Sequence, residues 1–416
     1  MAAFSIALSA LSADSTAIDV VGNNLANLNT VGYKDTSVNF QDLMSQSLAG
    51  DSQVGMGIGQ VGTVTSYSQG TLQTTNGATD AAIQGNGFFV VTNAANQTLY
   101  TRDGSFQLDA SGNLVTATGQ NVQGWSAVNG TVNPNGPVGN LSVPLGAVIP
   151  ATATSTTSLD VNLNSQSTTG TSFSAPIQVI DSQGTSHTLT VDLTNTGTNT
   201  WTYNVTIPTA DLKTGGNATL ASGTMTFDAN GNLEPPAGTA AGTAPAPQTI
   251  AVTGLADGAA NMNIAWSQFD SSGNALITQN SQASAVGSTK QNGTSVGQVT
   301  SVSLQNGGIL MANYSNGQQV TVGQLALASI PNPQSLSSVG DNNLQTSAST
   351  GTISVCAANS GGCGQIVAGS LESSTVNMAT EFTNLLTYQN SYQAASKVIT
   401  TNDQLLQDTM GLIPNA

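Results

Sequence analysis

Residues 378–413 read MATEFTNLLTYQNSYQAASKVITTNDQLLQDTMGLI. Apolar side chains recur there every seven positions, at Met378, Leu385, Tyr392, Ile399, Leu406 and Ile413, with Phe382 and Met410 in the intermediate register. That period predicts a long amphipathic helix with a coiled-coil-like seam. At 1.5 Å per residue it reaches roughly 55 Å, too long for a small domain of its own chain to cover. The opposite end repeats the pattern with Phe4, Leu11, Ile18 and Leu25, with Leu8 between them and Ala7, Val21 and Leu28 widening the face. An antiparallel pair of the two ends covers only part of this surface and leaves Leu386, Leu405 and Leu412 exposed on a monomer. Assembly resolves the conflict; the plainer alternative packs both helices onto the chain's own β-rich body.

Between the ends the period changes. Gly87-Phe88-Phe89-Val90-Val91, Thr188 to Leu193 and Trp201 to Ile207 are short alternating or apolar runs bounded by turn residues, and read as strands. Asp-x-x-Gly turns at Asp109, Asp181, Asp228 and Asp270 put glycine where a hairpin loop needs a left-handed residue. A calcium-loop reading fails for all four, since none has Glu at the twelfth position or helical flanks.

The expected fold is α+β and multidomain, with terminal α-helices in a coiled-coil-like pair and two nested β-rich domains. The expected boundaries are 1–30 with 370–416 for the helical core and 31–70 for an extended linker. An inner β domain takes 71–145 with 286–369, and an outer β domain is inserted at 146–285.

Of 416 residues, 21 are acidic and 5 basic, a formal charge of −16, which makes nucleic acid and anionic membranes poor partners. Charged residues are 6% of the chain, against about a quarter in an ordinary soluble protein, so Ser, Thr, Asn, Gln and Gly carry the solubility. No apolar run approaches the ~18 residues of a membrane span. No Lys or Arg precedes Lys34, and Ser5, Ser9 and Ser12 interrupt the first apolar stretch, so the start reads as a retained helix rather than a signal peptide.

Catalytic, cofactor and metal sites are not expected. The single histidine, His187, sits in a strand pattern and excludes any site needing several His ligands. No G-x-S-x-G in the strand-to-helix setting of a nucleophile elbow frames a serine. Gly55-Met56-Gly57-Ile58-Gly59 and Gly85-Asn86-Gly87 lack the strand-to-helix context of a phosphate loop. The three Glu residues, Glu234, Glu372 and Glu381, do not suggest a glycosidase pair. Cys356 and Cys363 read as a local disulfide or two free thiols rather than a redox site.

A family resemblance rests on particular residues. Val21-Gly22-Asn23-Asn24-Leu25-Ala26-Asn27 followed by Asn29-Thr30-Val31-Gly32-Tyr33-Lys34 resembles the N-terminal signature of bacterial flagellar rod and hook proteins, carried here by Asn23, Asn24, Asn27, Gly32, Tyr33 and Lys34. Gly369 to Asn377, then Glu381-Phe382 and Tyr392-Gln393-Ala394, resembles the C-terminal signature, with Thr375 and Asn390 where the family usually has Asn and Arg. Ala82 to Phe89, Tyr100 to Phe106 and Gly119 to Trp125 are similar to the shared inner domain. Asp181 to His187, Thr289 to Gly293 and Tyr314 to Gly317 resemble the hook branch in particular.

The resemblance implies an extracellular subunit of the flagellar hook, a homopolymer in a flexible tube that joins rod to filament and transmits torque. Terminal helices then line the channel and β domains form outer layers. Implied partners are the distal rod, the hook cap, the hook-filament junction proteins and the flagellar type III export apparatus, with no cofactor, no nucleic acid and no membrane insertion. Export proceeds without a cleaved signal, and Phe40-Gln41-Asp42-Leu43-Met44 is similar to the short segment read by the export gate, with Phe40 and Met44 as its anchors. An oxidising compartment, as the resemblance implies, makes Cys356 and Cys363 a candidate disulfide pair, with two free thiols as the other reading. Leu406→Asp is expected to abolish polymerisation, and a tag near Gly238 to leave tubes intact. A distal rod subunit is the alternative within the family, disfavoured by length and by the inserted domain; a secreted β-rich adhesin or hydrolase would leave the terminal heptads unexplained.

Overall fold

A computed structural model describes residues 2–43, 46–47, 53–54, 57–59, 61–236, 239 and 243–411. Met44, Gly238, Leu412 and Ile413 lie outside these. The chain forms two compact units, one of Met1–Leu145, Ser301–Asn313 and Gln319–Ala416, the other of Gly146–Thr300 and Tyr314–Gln318.

In the first unit, helix α1 (Ala2–Ala26) packs against helix α2 (Met378–Gly411). Asn377 starts α2 by accepting the Ala379 and Thr380 N–H groups on its side-chain oxygen at 3.0 and 3.3 Å, which satisfies donors that a helix start leaves unpaired. The outgoing and returning chains then zip together. Leu72–Thr74 pairs antiparallel with Ser370–Glu372, and Ala81–Gln84 with Gln365–Ala368. Beyond them Phe88–Thr92 pairs with Thr98–Thr101, Asn121–Ser126 and Leu327–Ser329. Phe88, Phe89, Val90 and Val91 are all buried, which explains why this strand reads as a continuous apolar run. Cys356 and Cys363 are joined in a disulfide.

The second unit is a sandwich. Ser172–Ile180, Ser186–Gly197, Thr200–Thr206 and Thr219–Thr226 form an antiparallel meander. The facing sheet runs Gln248–Val252, Met262–Ser267, Thr156–Asn164, Ile277–Asn280, with Ala285–Gln291 added along Thr156–Asn164. Strict alternation of buried and part-exposed residues along Thr200–Thr206 turns Trp201, Tyr203 and Val205 into the core. Trp201 and Trp266 are fully buried, and Tyr203 meets Trp266 edge to face at 5.3 Å.

All four Asp-x-x-Gly turns form: Gly112, Gly184, Gly231 and Gly273 have φ between 82° and 93°, and each aspartate accepts the N–H groups two and four residues on. Two findings depart from the sequence-based boundaries. The terminal helices cluster with the first β unit rather than standing apart, and that unit resumes at Ser301, not 286, because Ala285–Gln291 is held along Thr156–Asn164. A third concerns apolarity. By length and composition Phe4–Ala26 is apolar enough to cross a membrane, because Ala, Ile, Val and Leu outweigh the interrupting serines. The same helix instead lays an alanine-lined face on α2.

Candidate assembly surface

Two stripes, not one, run along the paired helices. On α1 the buried positions are Ala7, Ala13, Asp14, Ala17, Val21 and Asn24, mostly small side chains that let α2 approach closely. On α2 Glu381 is buried, and Asn384, Leu385, Tyr388, Ala395, Ser396, Ile399 and Asn402 are half-buried, a seven-residue rhythm. Leu385 and Ile399 from the expected seam fall on this stripe, and Leu11, Ile18 and Leu25 are half-buried. Phe4, Leu8, Met378, Phe382, Tyr392 and Leu406 are exposed. The expected single seam is therefore divided: the alanines of α1 with Leu385 and Ile399 of α2 lie on the covered stripe, while Phe4, Leu8, Met378, Phe382, Tyr392 and Leu406 stay exposed.

Length adds to this. The 34 residues of α2 span ~51 Å and the 25 of α1 ~37 Å. The Asn24 end of α1 meets Glu381 near the start of α2, so the pair is antiparallel and α1 runs out about nine residues before α2 does. Leu405, Leu406 and Met410, at 59%, 56% and 73% exposure, lie on that overhang.

The signature residues in the last turn of α1 and just after it form a joint between the helix end and the chain that follows. The Asn24 side chain donates to the Thr36 carbonyl at 2.8 Å, and its oxygen accepts the Thr36 N–H at 3.1 Å and the Tyr33 hydroxyl at 3.2 Å. Asn23 donates to the Tyr33 hydroxyl at 3.2 Å, and Asn27 to the Asn23 carbonyl at 2.9 Å. Thr375, one of the two departures from the signature, accepts the Asp35 N–H at 2.8 Å and donates to the Asp35 carboxylate at 2.7 Å.

Glu372 is the charged centre of this joint. Lys34 Nζ donates to its Oε1 at 2.7 Å, Gly70 N–H reaches the same oxygen at 2.8 Å, and Arg102 Nη1 donates to Oε2 at 3.2 Å. Lys34 also donates to the Ser68 carbonyl at 2.6 Å, Arg102 to the Gly85 carbonyl at 3.0 Å, and the guanidinium lies 5.2 Å from the centre of the Phe88 ring. Burial pushes both cations below their ordinary pKa values, against the opposing pull of Glu372. Lys34 belongs to the signature, whereas no spacing in the sequence marks Arg102 and Glu372 as its partners; the scarcity of charge is the available signal, since two of the five basic residues lie here.

Gly32 makes this approach possible. Its φ is +68°, its N–H donates to the Glu372 carbonyl at 2.8 Å, and a Cβ would lie 2.6 Å from the Arg102 carbonyl carbon. Gly32→Ala is expected to cost ~2–3 kcal/mol through left-handed strain and backbone collision. A urea titration followed by helix circular dichroism checks it, and an unchanged midpoint would contradict the packing.

Glu381 adds a pH dependence. Burial raises its pKa above 4.5, opposed by a hydrogen bond from Asn24 and helped by the charge of Asp35. The folded chain therefore holds this proton to higher pH than the unfolded chain does. Its stabilising contribution is present in acid and is lost as pH rises from the unfolded value through the folded one. Glu381→Gln is expected to raise the melting midpoint at pH 7 relative to the parent, with the gap closing toward pH 4; an equal or lower midpoint at pH 7 would contradict this.

Of the export-like segment, Phe40 lies 5.9 Å from the Tyr388 ring, centre to centre.

Four family models match stretches of the chain. Residues 4–34 match the model "Flagella basal body rod protein" and 367–412 match "Flagellar basal body rod FlgEFG protein C-terminal". Residues 82–164 match "Flagellar hook protein FlgE/F/G D1 domain" and 148–294 "Flagellar basal body protein FlaE D2 domain". The flagellar hook protein FlgE of Escherichia coli K12 is 32% identical over 99% of this chain and 100% of its own length. That of Treponema pallidum is 32% identical over 95% and 96%, and that of Rhizobium meliloti 33% over 97% and 97%. Among solved structures, Helicobacter pylori flagellar hook protein FlgE2 aligns with a TM-score of 0.45 at 14% identity, over 66% of this chain and 93% of that one. Full-length identity above 30%, together with matches at both helical ends and both β regions, leads to one conclusion: the chain belongs to the flagellar hook protein family.

Proposed function

We propose that this hook subunit polymerises through the exposed apolar stripe of its terminal helices, building the core of a flexible tube that joins rod to filament and transmits motor torque. The observation that carries the reading is the set of large apolar side chains left uncovered on α2, among them Phe382, Leu386, Leu405, Leu406 and Met410. A monomer gains nothing from exposing them, whereas neighbouring copies remove them from water. The role is structural rather than enzymatic. A chain with 6% charged residues meets its neighbours with few ion pairs to break, which suits sliding between subunits as a tube bends.

The further partners of such a tube are the distal rod below, the cap during growth and the junction proteins above. Export through the flagellar type III apparatus without a cleaved signal fits this location outside the cell, with Phe40 to Met44 as the segment read before the chain folds.

Electron microscopy of the concentrated full-length chain, with circular dichroism in parallel, tests the proposal. Tubes that appear above a critical concentration, and that a chain ending before Leu405 fails to form while staying folded, support it. A chain that stays monomeric at every concentration would overturn it.

A further inference from the structure

Three loops meet at one end of the second unit around its single histidine. Asp181 lies in the turn between Ser172–Ile180 and Ser186–Gly197; Asp211 closes the short helical turn Thr209–Asp211; Asp257 lies between Gln248–Val252 and Met262–Ser267. Backbone bonds hold these loops together: Lys213 N–H to the Gly254 carbonyl and Ala256 N–H to the Asp211 carbonyl, both at 2.9 Å. The Ser182 hydroxyl accepts the Ala260 N–H at 3.0 Å.

His187 is 5% exposed, and both its ring nitrogens face carboxylates. Nδ1 lies 3.2 Å from Asp211 Oδ2; Nε2 lies 3.2 Å from Asp181 Oδ2 and 3.7 Å from Asp257 Oδ2. One potential ligand atom from each of Asp181, His187 and Asp257 falls within 4.8 Å of the others. The other oxygen of Asp181 is committed to the Gln183 and Thr185 N–H groups at 2.8 and 2.9 Å, which aims Oδ2 at the imidazole. Three carboxylates thus face one imidazole, and among the described residues no lysine or arginine forms an ion pair with any of them.

We propose that His187 Nε2, Asp181 and Asp257 form a binding site for a divalent transition-metal ion of the zinc type, with Asp211 orienting the imidazole through Nδ1. A tetrahedral ion with bonds of about 2.0–2.2 Å sets its ligand atoms roughly 3.3–3.6 Å apart, and the two distances to Nε2 bracket that spacing. A carboxylate on the second ring nitrogen is the usual partner of a metal-bound histidine, because it fixes the tautomer that leaves the other nitrogen's lone pair free. One nitrogen with two oxygens suits zinc, cobalt or nickel better than calcium or magnesium, which prefer oxygen alone. A lone histidine excludes a set of several histidines but not a mixed set, which needs only one. The ion would cross-link three loops and stabilise this end of the unit, independently of how the helices assemble.

The test uses the full chain, stripped with EDTA and titrated with zinc by calorimetry, with cobalt absorption as a second readout. The expected result is one tight zinc per chain, a melting temperature of the β unit that zinc raises and EDTA returns, and the visible absorption of four-coordinate cobalt. Asp257→Asn, at a side chain 26% exposed, should weaken binding at least tenfold, and Asp211→Asn by ~10–100-fold, and zinc should raise the melting temperature of each variant above its own value in EDTA by less than it does in the parent. Absence of stoichiometric zinc binding, or zinc binding that neither variant changes, would overturn the proposal and leave an imidazolium held by carboxylates. A variant that fails to fold leaves the cobalt spectrum of the parent chain to decide.

Discussion

Glu372→Ala destabilises the first unit by roughly 3–5 kcal/mol, because it removes the one anion that Lys34 and Arg102 share in a buried site. Both cations are 6% exposed and the Glu372 side chain is wholly buried, so neither can turn fully to water without moving the chain around it. The Gly70 N–H also loses its acceptor. Lys34→Met should cost less, since Arg102 continues to neutralise the carboxylate. Urea unfolding read by helix circular dichroism isolates the effect, because both long helices belong to this unit. If Glu372→Ala cost no more than Lys34→Met, Glu372 would not be the shared centre of the joint.

Leu406→Asp is expected to leave the monomer intact and to abolish tubes. Leu406 is 56% exposed, so within one chain the change should stay inside about half a kcal/mol. Between chains it places a carboxylate in a water-poor contact, at a cost of several kcal/mol. Four kcal/mol corresponds to a rise of ~1,000-fold in critical concentration, beyond any practical protein concentration. Leu406→Met keeps volume and apolarity and should still assemble. Sedimentation and electron microscopy decide; tubes of Leu406→Asp at the parent's critical concentration would remove this position from the contact.

The hook family was legible at both ends of the sequence because its signature residues are structurally committed. Asn24 bonds the backbone of Thr36, and Gly32 occupies a left-handed position that other residues resist. The strands were legible where alternation is strict, as along Trp201 to Val205, and the four hairpin turns because aspartate and glycine each have one local job. What the pattern concealed was which stripe of a heptad faces which neighbour. Period seven marks apolar faces, but it does not distinguish a contact within the chain from one between chains. Here the buried alanines of α1 and half-buried Leu385 and Ile399 of α2 took the first, while Phe382, Leu386, Leu405 and Leu406 stayed outside.

By itself, then, the sequence determined the helical ends, the β-rich middle, the turns and the family, all features set by local propensity or short-range spacing. Tertiary structure alone decided the pairing of Lys34 and Arg102 with Glu372, 338 and 270 residues away, and the gathering of Asp181, Asp211 and Asp257 around His187. The physical reason is common to both. A charge is rare in this chain and costly to bury alone, so its partner is found wherever the fold brings one within reach, and no period in the sequence records that distance.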